Sequence, residues 1–153
     1  MILILLLNMV FGFGKGKMEI LLNKNDYKPG DMIIGDINLE LKKPMQAKEL
    51  KISFIAEKEY GTEGSKKQVL YQTEKTLGGQ GEYYNNVYHF ELKIPEEILD
   101  LSQEFKKKLT GIALKIYERK EKGGFFEDYY HIRASLEALE GANIEKKVRI
   151  KIV

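Results

Sequence analysis

The feature that most constrains the fold of this chain is an alternation of apolar and polar side chains with a period of two residues. Its clearest instance follows Pro29-Gly30, a turn pair in which proline presets φ and glycine is free to adopt a positive φ. From Asp31 onward, the residues on one face of this pattern are Ile33, Gly35, Ile37, Leu39 and Leu41. A period of two predicts a strand with one face on a core and the other mostly in water.

The same alternation recurs along the chain and predicts seven strands. Val69–Leu77 is polar enough to suit the edge of a sheet. The predicted strands are Met18–Leu22, Asp31–Leu41, Leu50–Tyr60, Val69–Leu77, Val87–Ile94, Tyr130–Ala138 and Ile144–Ile152. Their number and spacing favour a mainly β fold, an immunoglobulin-like antiparallel β-sandwich.

After Pro95 the period changes from two residues to three or four, which indicates an amphipathic helix inserted between strands. Ile98, Leu101 and Phe105 begin the apolar stripe, and the helix is predicted from Glu96 to Lys108. Beyond Lys108 the apolar residues fit strand alternation as well as a helix. We favour a helix that continues to about Arg119, so that the insertion spans about residues 96–120.

The length and composition of the chain limit the classes of protein it can belong to. A chain of 153 residues suits one domain, which we place at residues 18–153 after an N-terminal segment and linker at residues 1–17. The net charge is only +2 with both signs interspersed, so nucleic acid is not an expected partner. The absence of cysteine excludes disulfide frameworks and thiol nucleophiles.

The first thirteen residues, Met1–Phe13, carry no charge. The segment is too short to span a bilayer, which needs about 20 apolar residues. It also lacks the basic start and the small-residue cleavage site of a secretory signal. The alternatives are a natural start at Met9, an extra apolar strand, a contact with a membrane or a partner, and a signal.

No catalytic or metal-binding pattern is present in the sequence. The two histidines, His89 and His131, fall on the outward faces of predicted strands. A metal site needs three or four convergent ligands, and the spacings that provide them do not occur. We therefore expect no cofactor, no metal and no enzymatic activity.

A cluster of basic residues in and after the predicted helix is a candidate interaction surface for an acidic membrane or a phosphorylated partner. Its members are Lys106, Lys107, Lys108, Lys115 and Arg119. A solvated helix face that complements the C-terminal end of the helix dipole is the simpler interpretation.

Three stretches together resemble the N-terminal domain of the arrestin family, which includes alpha-arrestins, Vps26-like proteins and sporulation-control proteins of the Spo0M type. The first, Tyr27–Leu41, is similar to the family's turn and following strand, with Pro29, Gly30 and Gly35 as its motif residues. The second is the aromatic-rich strand that runs into Pro95. The third is the pair of closing strands, Tyr129–Ala138 and Lys146–Val153.

The resemblance implies an arrestin-type sandwich that acts as a non-catalytic adaptor or scaffold in the cytoplasm and binds an unidentified protein. Full-length members carry two such sandwiches, whereas this chain has room for one. We interpret Pro29, Gly30, Gly35 and Pro95 as structural residues, with Gly35 at a bulge or a close backbone approach. The alternatives are a small-ligand or carbohydrate-binding sandwich, a homo-oligomer, and a membrane-associated domain that uses residues 1–13.

Overall fold

Alternating strands build two stacked sheets in the computed structural model, which describes residues 15–60, 66–108 and 127–153. Within these ranges lie nine strands and one helix. The strands are β1 (Gly16–Leu22), β2 (Asp26–Tyr27), β3 (Met32–Leu41), β4 (Met45–Tyr60), β5 (Lys66–Gly78), β6 (Gly81–Tyr83), β7 (Asn86–Lys93), β8 (Glu127–Ala138) and β9 (Ile144–Ile152). The helix, α1, is Leu101–Lys108 and lies between β7 and β8 in the chain.

One sheet has three strands in the order β1-β3-β7, and the other has six. In the larger sheet the order is β2-β9-β8-β4-β5, with β6 paired to the beginning of β4. All pairs are antiparallel except β2 with β9, which is parallel. The prediction of a mainly β sandwich with antiparallel strands is therefore confirmed.

The core lies between the two sheets and is filled by the alternating residues that the sequence identifies. In β3 the buried positions are every second residue, from Ile33 to Leu41. The six-stranded sheet contributes fully buried side chains from β4 and β8, among them Leu50, Ile52, Phe54, Ile132 and Leu136. Burial of one such side chain stabilises the fold by about 1.5–3 kcal/mol.

Gly35 lies where the backbone of β3 passes very close to its neighbours. A Cβ atom at this position would lie 2.6 Å from the carbonyl oxygen of Leu21 and 2.8 Å from Cζ of Phe90. The pairing of β3 with β1 and β7 is regular at Gly35, so the position marks a close approach and not a bulge. Only glycine fits here without displacing the backbone of β1.

The turn before β3 is held against the end of β7. The amide of Gly30 donates to the carbonyl of Ile94 over 3.1 Å, and the amide of Ile94 donates to the carbonyl of Asp31 over 2.9 Å. Gly30 has a φ of +86°, a conformation that glycine adopts without strain. The motif residues Pro29, Gly30 and Pro95 therefore meet at one end of the three-stranded sheet.

The predicted start of β4 and the predicted number of strands are wrong. β4 begins at Met45 and not at Leu50, because an irregularity in its pairing with β8 between Ala47 and Glu49 shifts the alternation by one residue. Ala47 and Leu50 are consequently both buried, which a strict period of two does not allow. The count of seven strands also misses β2 and β6, which have two and three residues.

The helix begins at Leu101 and not at Glu96. Residues 96–100 form turns, in which the amide of Ile98 bonds the carbonyl of Pro95 and the amide of Asp100 bonds the carbonyl of Glu97. Ile98 is fully buried, so its side chain anchors these turns on the core before the helix starts. The predicted continuation from Lys108 to Arg119 lies outside the described residues, as does Met1–Phe13.

Candidate interaction surfaces

Within the described part of the chain, the smaller sheet ends in β1 and β7, and the larger sheet ends in β2 and β5, with the short β6 beside the beginning of β4. β1 and β7 flank β3 in the smaller sheet, and β5 lies outside β4 in the larger one. Such an edge carries a row of backbone donors and acceptors that can pair with another chain. The predicted edge position of Val69–Leu77 is confirmed, since these residues belong to β5.

β7 has the longest of the edges whose pairing shows no shift of register. Its eight residues pair with β3 without any shift of register, from Asn86 opposite Leu39 to Lys93 opposite Met32. Phe90 and Leu92 point into the core, while Val87, which is 57% exposed, and His89 point outward. His89 Nδ1 lies 3.0 Å from the Asp36 carboxylate, which holds the imidazole against the face of the sheet.

The edge of β5 is less regular and more charged. Its pairing with β4 shifts register twice along thirteen residues. Lys67, Glu74 and Lys75 are exposed on this strand, and charged residues on an edge oppose the addition of further strands. Val69 is an exposed apolar residue among them. β7 is thus the better acceptor of an added strand.

The outer face of the three-stranded sheet carries a patch of exposed apolar side chains, which we call the apolar corner: Leu21, Met32 and Ile34. Leu21 lies opposite Asp36 in the pairing of β1 with β3, and Ile34 lies opposite Glu91 in the pairing of β3 with β7. Leu21 is 54% exposed. The sequence placed Met32 and Ile34 on the outward face, but their proximity to Leu21 depends on the strand register.

A groove of about 520 Å³ lies where the chain enters β1, beside the turns that precede β4 and follow β8. It is lined by Lys15, Lys43, Pro44, Met45, Gln46, Leu139 and Glu140. The ammonium group of Lys15 donates to the carbonyl oxygens of Glu140 and Ala142 over 3.0 and 2.9 Å. This volume is within the range of pockets that hold small molecules.

The predicted basic cluster is only partly within the described chain. Lys107 is exposed on α1, and Lys106 and Lys108 belong to the same eight-residue helix. Lys115 and Arg119 lie outside the described residues. The structure therefore places three of the five residues on one helix and does not test whether the five form one surface.

His131 lies on the outer face of the six-stranded sheet, as the alternation of β8 predicts, but its side chain is only 12% exposed. Its Nε2 atom is buried, has no hydrogen-bond partner and lies 4.0 Å from a Glu57 carboxylate oxygen. Burial lowers the pKa of this imidazole, and Glu57 opposes that shift while nearby cations reinforce it. The sequence gives no sign of this burial, because the covering side chains come from neighbouring strands.

The described residues provide neither a metal site nor a membrane-spanning helix. Among residues 15–60, 66–108 and 127–153, no group of three His, Asp or Glu side chains is placed to hold a metal ion. No helix in these ranges is long and apolar enough to cross a membrane.

Comparison with solved structures identifies the fold. The sandwich is similar to Spo0M, the sporulation control protein from Bacillus subtilis, with a TM-score of 0.61 and 13% sequence identity. The match covers 92% of this chain and 50% of that protein, so this chain spans about half the length of its structural relative. The predicted resemblance to the arrestin-like, Spo0M-type fold is thereby confirmed. No protein-family model and no curated protein matches the sequence.

Proposed function

We propose that this chain is a non-catalytic, arrestin-like adaptor or scaffold domain that binds another protein in the cytoplasm. In this proposal, an extended segment of the partner pairs with the outer edge of β7 as a fourth strand of the smaller sheet. The observation that supports this proposal is the outer edge of β7. Its eight residues pair with β3 in unbroken register, and among the described residues no strand lies on its outer side. Main-chain hydrogen bonds then supply affinity, and alternate side chains supply specificity.

The outward side chains of β7 favour a partner segment that carries both apolar and charged residues. Val87 is an apolar contact at one end of the strand, and Glu91 and Lys93 carry opposite charges at the other. Residues directly opposite each other in an antiparallel pair interact by about 0.2–1 kcal/mol. A segment with an apolar residue opposite Val87 and a basic residue opposite Glu91 therefore fits best.

The test uses a displayed library of extended peptides, selected on the whole chain and ranked by Kd from fluorescence anisotropy. We expect Val87→Lys to weaken selected peptides by about tenfold or more, because a lysine on an edge strand disfavours an added strand. The matched control is Val69→Lys, the same change at an exposed valine on β5. The proposal fails if no peptide is selected, or if Val69→Lys weakens binding while Val87→Lys does not.

A small anionic ligand is the second candidate, favoured by the groove beside Lys15. The exposed Lys43 and the apolar side chains of Met45 and Leu139 line the same cavity. A ligand that binds only the folded state raises the melting temperature. A soluble anionic metabolite that raises it in the parent chain, but not in Lys43→Gln, would favour this function over peptide binding.

A further inference from the structure

The hydrogen bonds at the end of β7 show which of its residues direct their backbone groups to the open edge. Ile94, the residue after β7, uses both groups on the side of β3, since its amide donates to Asp31 and its carbonyl accepts from Gly30. Successive residues of a strand turn these groups to opposite sides, so the odd-numbered residues of β7 direct theirs to the open edge. These residues are Val87, His89, Glu91 and Lys93.

The beginning of β7 agrees with this orientation. The amide of Val87, which the alternation turns away from β3, donates to the side-chain oxygen of Asn86 over 2.9 Å. All four odd-numbered residues also have exposed side chains. A strand that pairs with this edge therefore meets the main-chain groups and the side chains of the same four residues.

The sequence of this edge is complementary to itself. When two copies of β7 run antiparallel with Phe90 opposite Phe90, each His89 lies opposite Glu91 of the second copy. Each Val87 then lies opposite Lys93. The odd-numbered residues face each other as pairs that exchange both N–H···O bonds. Beside these bonds, an imidazole N–H can donate to the opposite carboxylate, and the methylene chain of a lysine can pack on the valine.

Other registers of the same two strands are less favourable. A shift that places Glu91 opposite Glu91 brings two carboxylates together, and like charges directly opposite each other destabilise a sheet. The shift in the other direction places His89 opposite His89 and leaves Glu91 opposite Val87. Registers that place odd-numbered residues opposite even-numbered ones turn the buried face of one strand to the exposed face of the other.

A register centred on Leu92 also brings opposite charges together, since it places Glu91 opposite Lys93. It places Pro95 opposite His89, however, and proline has no N–H with which to complete that pair. Charge complementarity and the number of backbone pairs together select the register centred on Phe90.

The neighbouring strand adds an apolar contact to this register. Lys93 pairs with Met32 of the apolar corner on one side and would have Val87 of the second copy on the other. Met32 is 44% exposed and Val87 is 57% exposed in the single chain. The methylene chain of Lys93 therefore bridges two exposed apolar side chains when the edges pair.

We propose, on the basis of the function proposed above for the β7 edge, that a second copy of this chain occupies this edge. The two smaller sheets join about a two-fold axis into one continuous sheet with three strands from each copy. A paired edge admits no further strand, so the dimer is the closed form of the peptide site and the monomer is the open form. The balance between the two forms follows the concentration of the protein.

The chain contains no cysteine, which allows a test by disulfide formation between copies. One preparation carries Val87→Cys and another carries Lys93→Cys, and both positions are exposed. We expect a disulfide-linked dimer when the two are mixed, because directly opposite residues have the Cα separation that a disulfide requires. Neither variant alone should form it efficiently, since the two copies of one position lie about 20 Å apart at about 3.3 Å per residue.

The matched control mixes Val69→Cys with Lys93→Cys, because Val69 is an exposed valine on β5. Non-reducing electrophoresis and mass spectrometry measure the products. Equal yields in the two mixtures, equal yields with and without mixing, or no disulfide in the Val87→Cys mixture would overturn the proposal.

Sedimentation velocity measures the Kd of the dimer without cysteines, at concentrations up to about 1 mM because small interfaces bind weakly. We expect Glu91→Lys to raise this Kd by about tenfold or more, because it removes the carboxylate opposite His89 at both symmetric places. Glu74→Lys on β5 is the matched control, since the side chains of the two glutamates are equally exposed, at 51%. A native chain that stays monomeric, or equal effects of the two substitutions, would overturn the proposal.

Peptides selected on the whole chain separate the self-pairing from the function on which it rests. A peptide that binds at β7 should dissociate the dimer, because both pair with the same edge. If such peptides bind and the chain is monomeric at every concentration, the self-pairing is wrong and the peptide site stands. If the dimer forms in the expected register and no peptide is selected, the self-pairing stands and the binding of another protein at β7 is wrong. A dimer that binds a β7 peptide without dissociating would overturn the self-pairing.

Discussion

Gly35 is a residue at which the fold has no room for a side chain. We expect Gly35→Ala to lower the free energy of unfolding by about 1–3 kcal/mol, because the new methyl group meets the backbone oxygen of Leu21, which cannot rotate away. The matched control is Gly79→Ala, since a Cβ at Gly79 has no atom within 4 Å. Urea denaturation measures both. Equal effects of the two substitutions would contradict the close approach.

Burial of His131 makes the free energy of unfolding decrease as the pH falls. The pKa of His131 is lower in the folded state than in the unfolded state. The stabilisation that the neutral imidazole provides is therefore complete above about pH 6.5 and declines as the pH falls below that value. We expect the parent chain to lose more unfolding free energy between pH 7.5 and 5.5 than His131→Gln does. Urea denaturation at the two pH values measures the free energy of unfolding of both chains. An equal loss in the parent and in His131→Gln would rule the effect out.

At the scale of elements, Ile98 links the end of β7 to α1. It is buried one residue before the exposed Leu99, so the two neighbours form a natural comparison. We expect Ile98→Ala to lower the free energy of unfolding by about 2–5 kcal/mol, while Leu99→Ala changes it little. Thermal or urea unfolding of both variants tests this. A large effect of Leu99→Ala would show that the segment packs differently.

The elements that the sequence predicts well are those whose pattern is local. β3 shows this best, since every second residue from Ile33 to Leu41 is buried as expected. β2 is different, because its two residues become a strand only by pairing with Lys151 and Ile152. The early start of β4 was missed for a related reason: the irregularity after Ala47 reverses the alternation. Pairings between distant segments leave no periodicity to detect.

The sequence predicts that open strand edges exist, but it does not predict which strands carry them. The alternation implies sheets, and open sheets have edges, but the order β1-β3-β7 decides which strands lie outermost. In the same way, Leu21 and Ile34 lie on different strands, and the register shows that both project from one face, with Ile34 two positions along β3 from the partner of Leu21. The resemblance to arrestins supplied the fold, and the register supplied the surfaces.

At the scale of the whole molecule, both sheets share one core, so the described sandwich should unfold as a unit. We expect Gly35→Ala, a change in the smaller sheet, to speed exchange of the slowest amides of β4 and β8 by the same factor as those of β3. Native-state hydrogen exchange resolves these amides separately. Unchanged exchange in β4 and β8 would show that the sheets open independently.

The pairing of β2 with β9 has a consequence for folding during synthesis on the ribosome. Tyr27 is almost completely buried, yet its carbonyl receives the amide of Val153 over 2.8 Å, and Asp26 pairs with Lys151. A ribosome adds about 5–20 residues per second, so Tyr27 waits several seconds in the nascent chain before its partner strand is made. Until Ile152 has emerged from the exit tunnel of the ribosome, β2 and β9 cannot pair and the larger sheet is incomplete. Chaperones that bind unpaired strands have the most time to act during this interval.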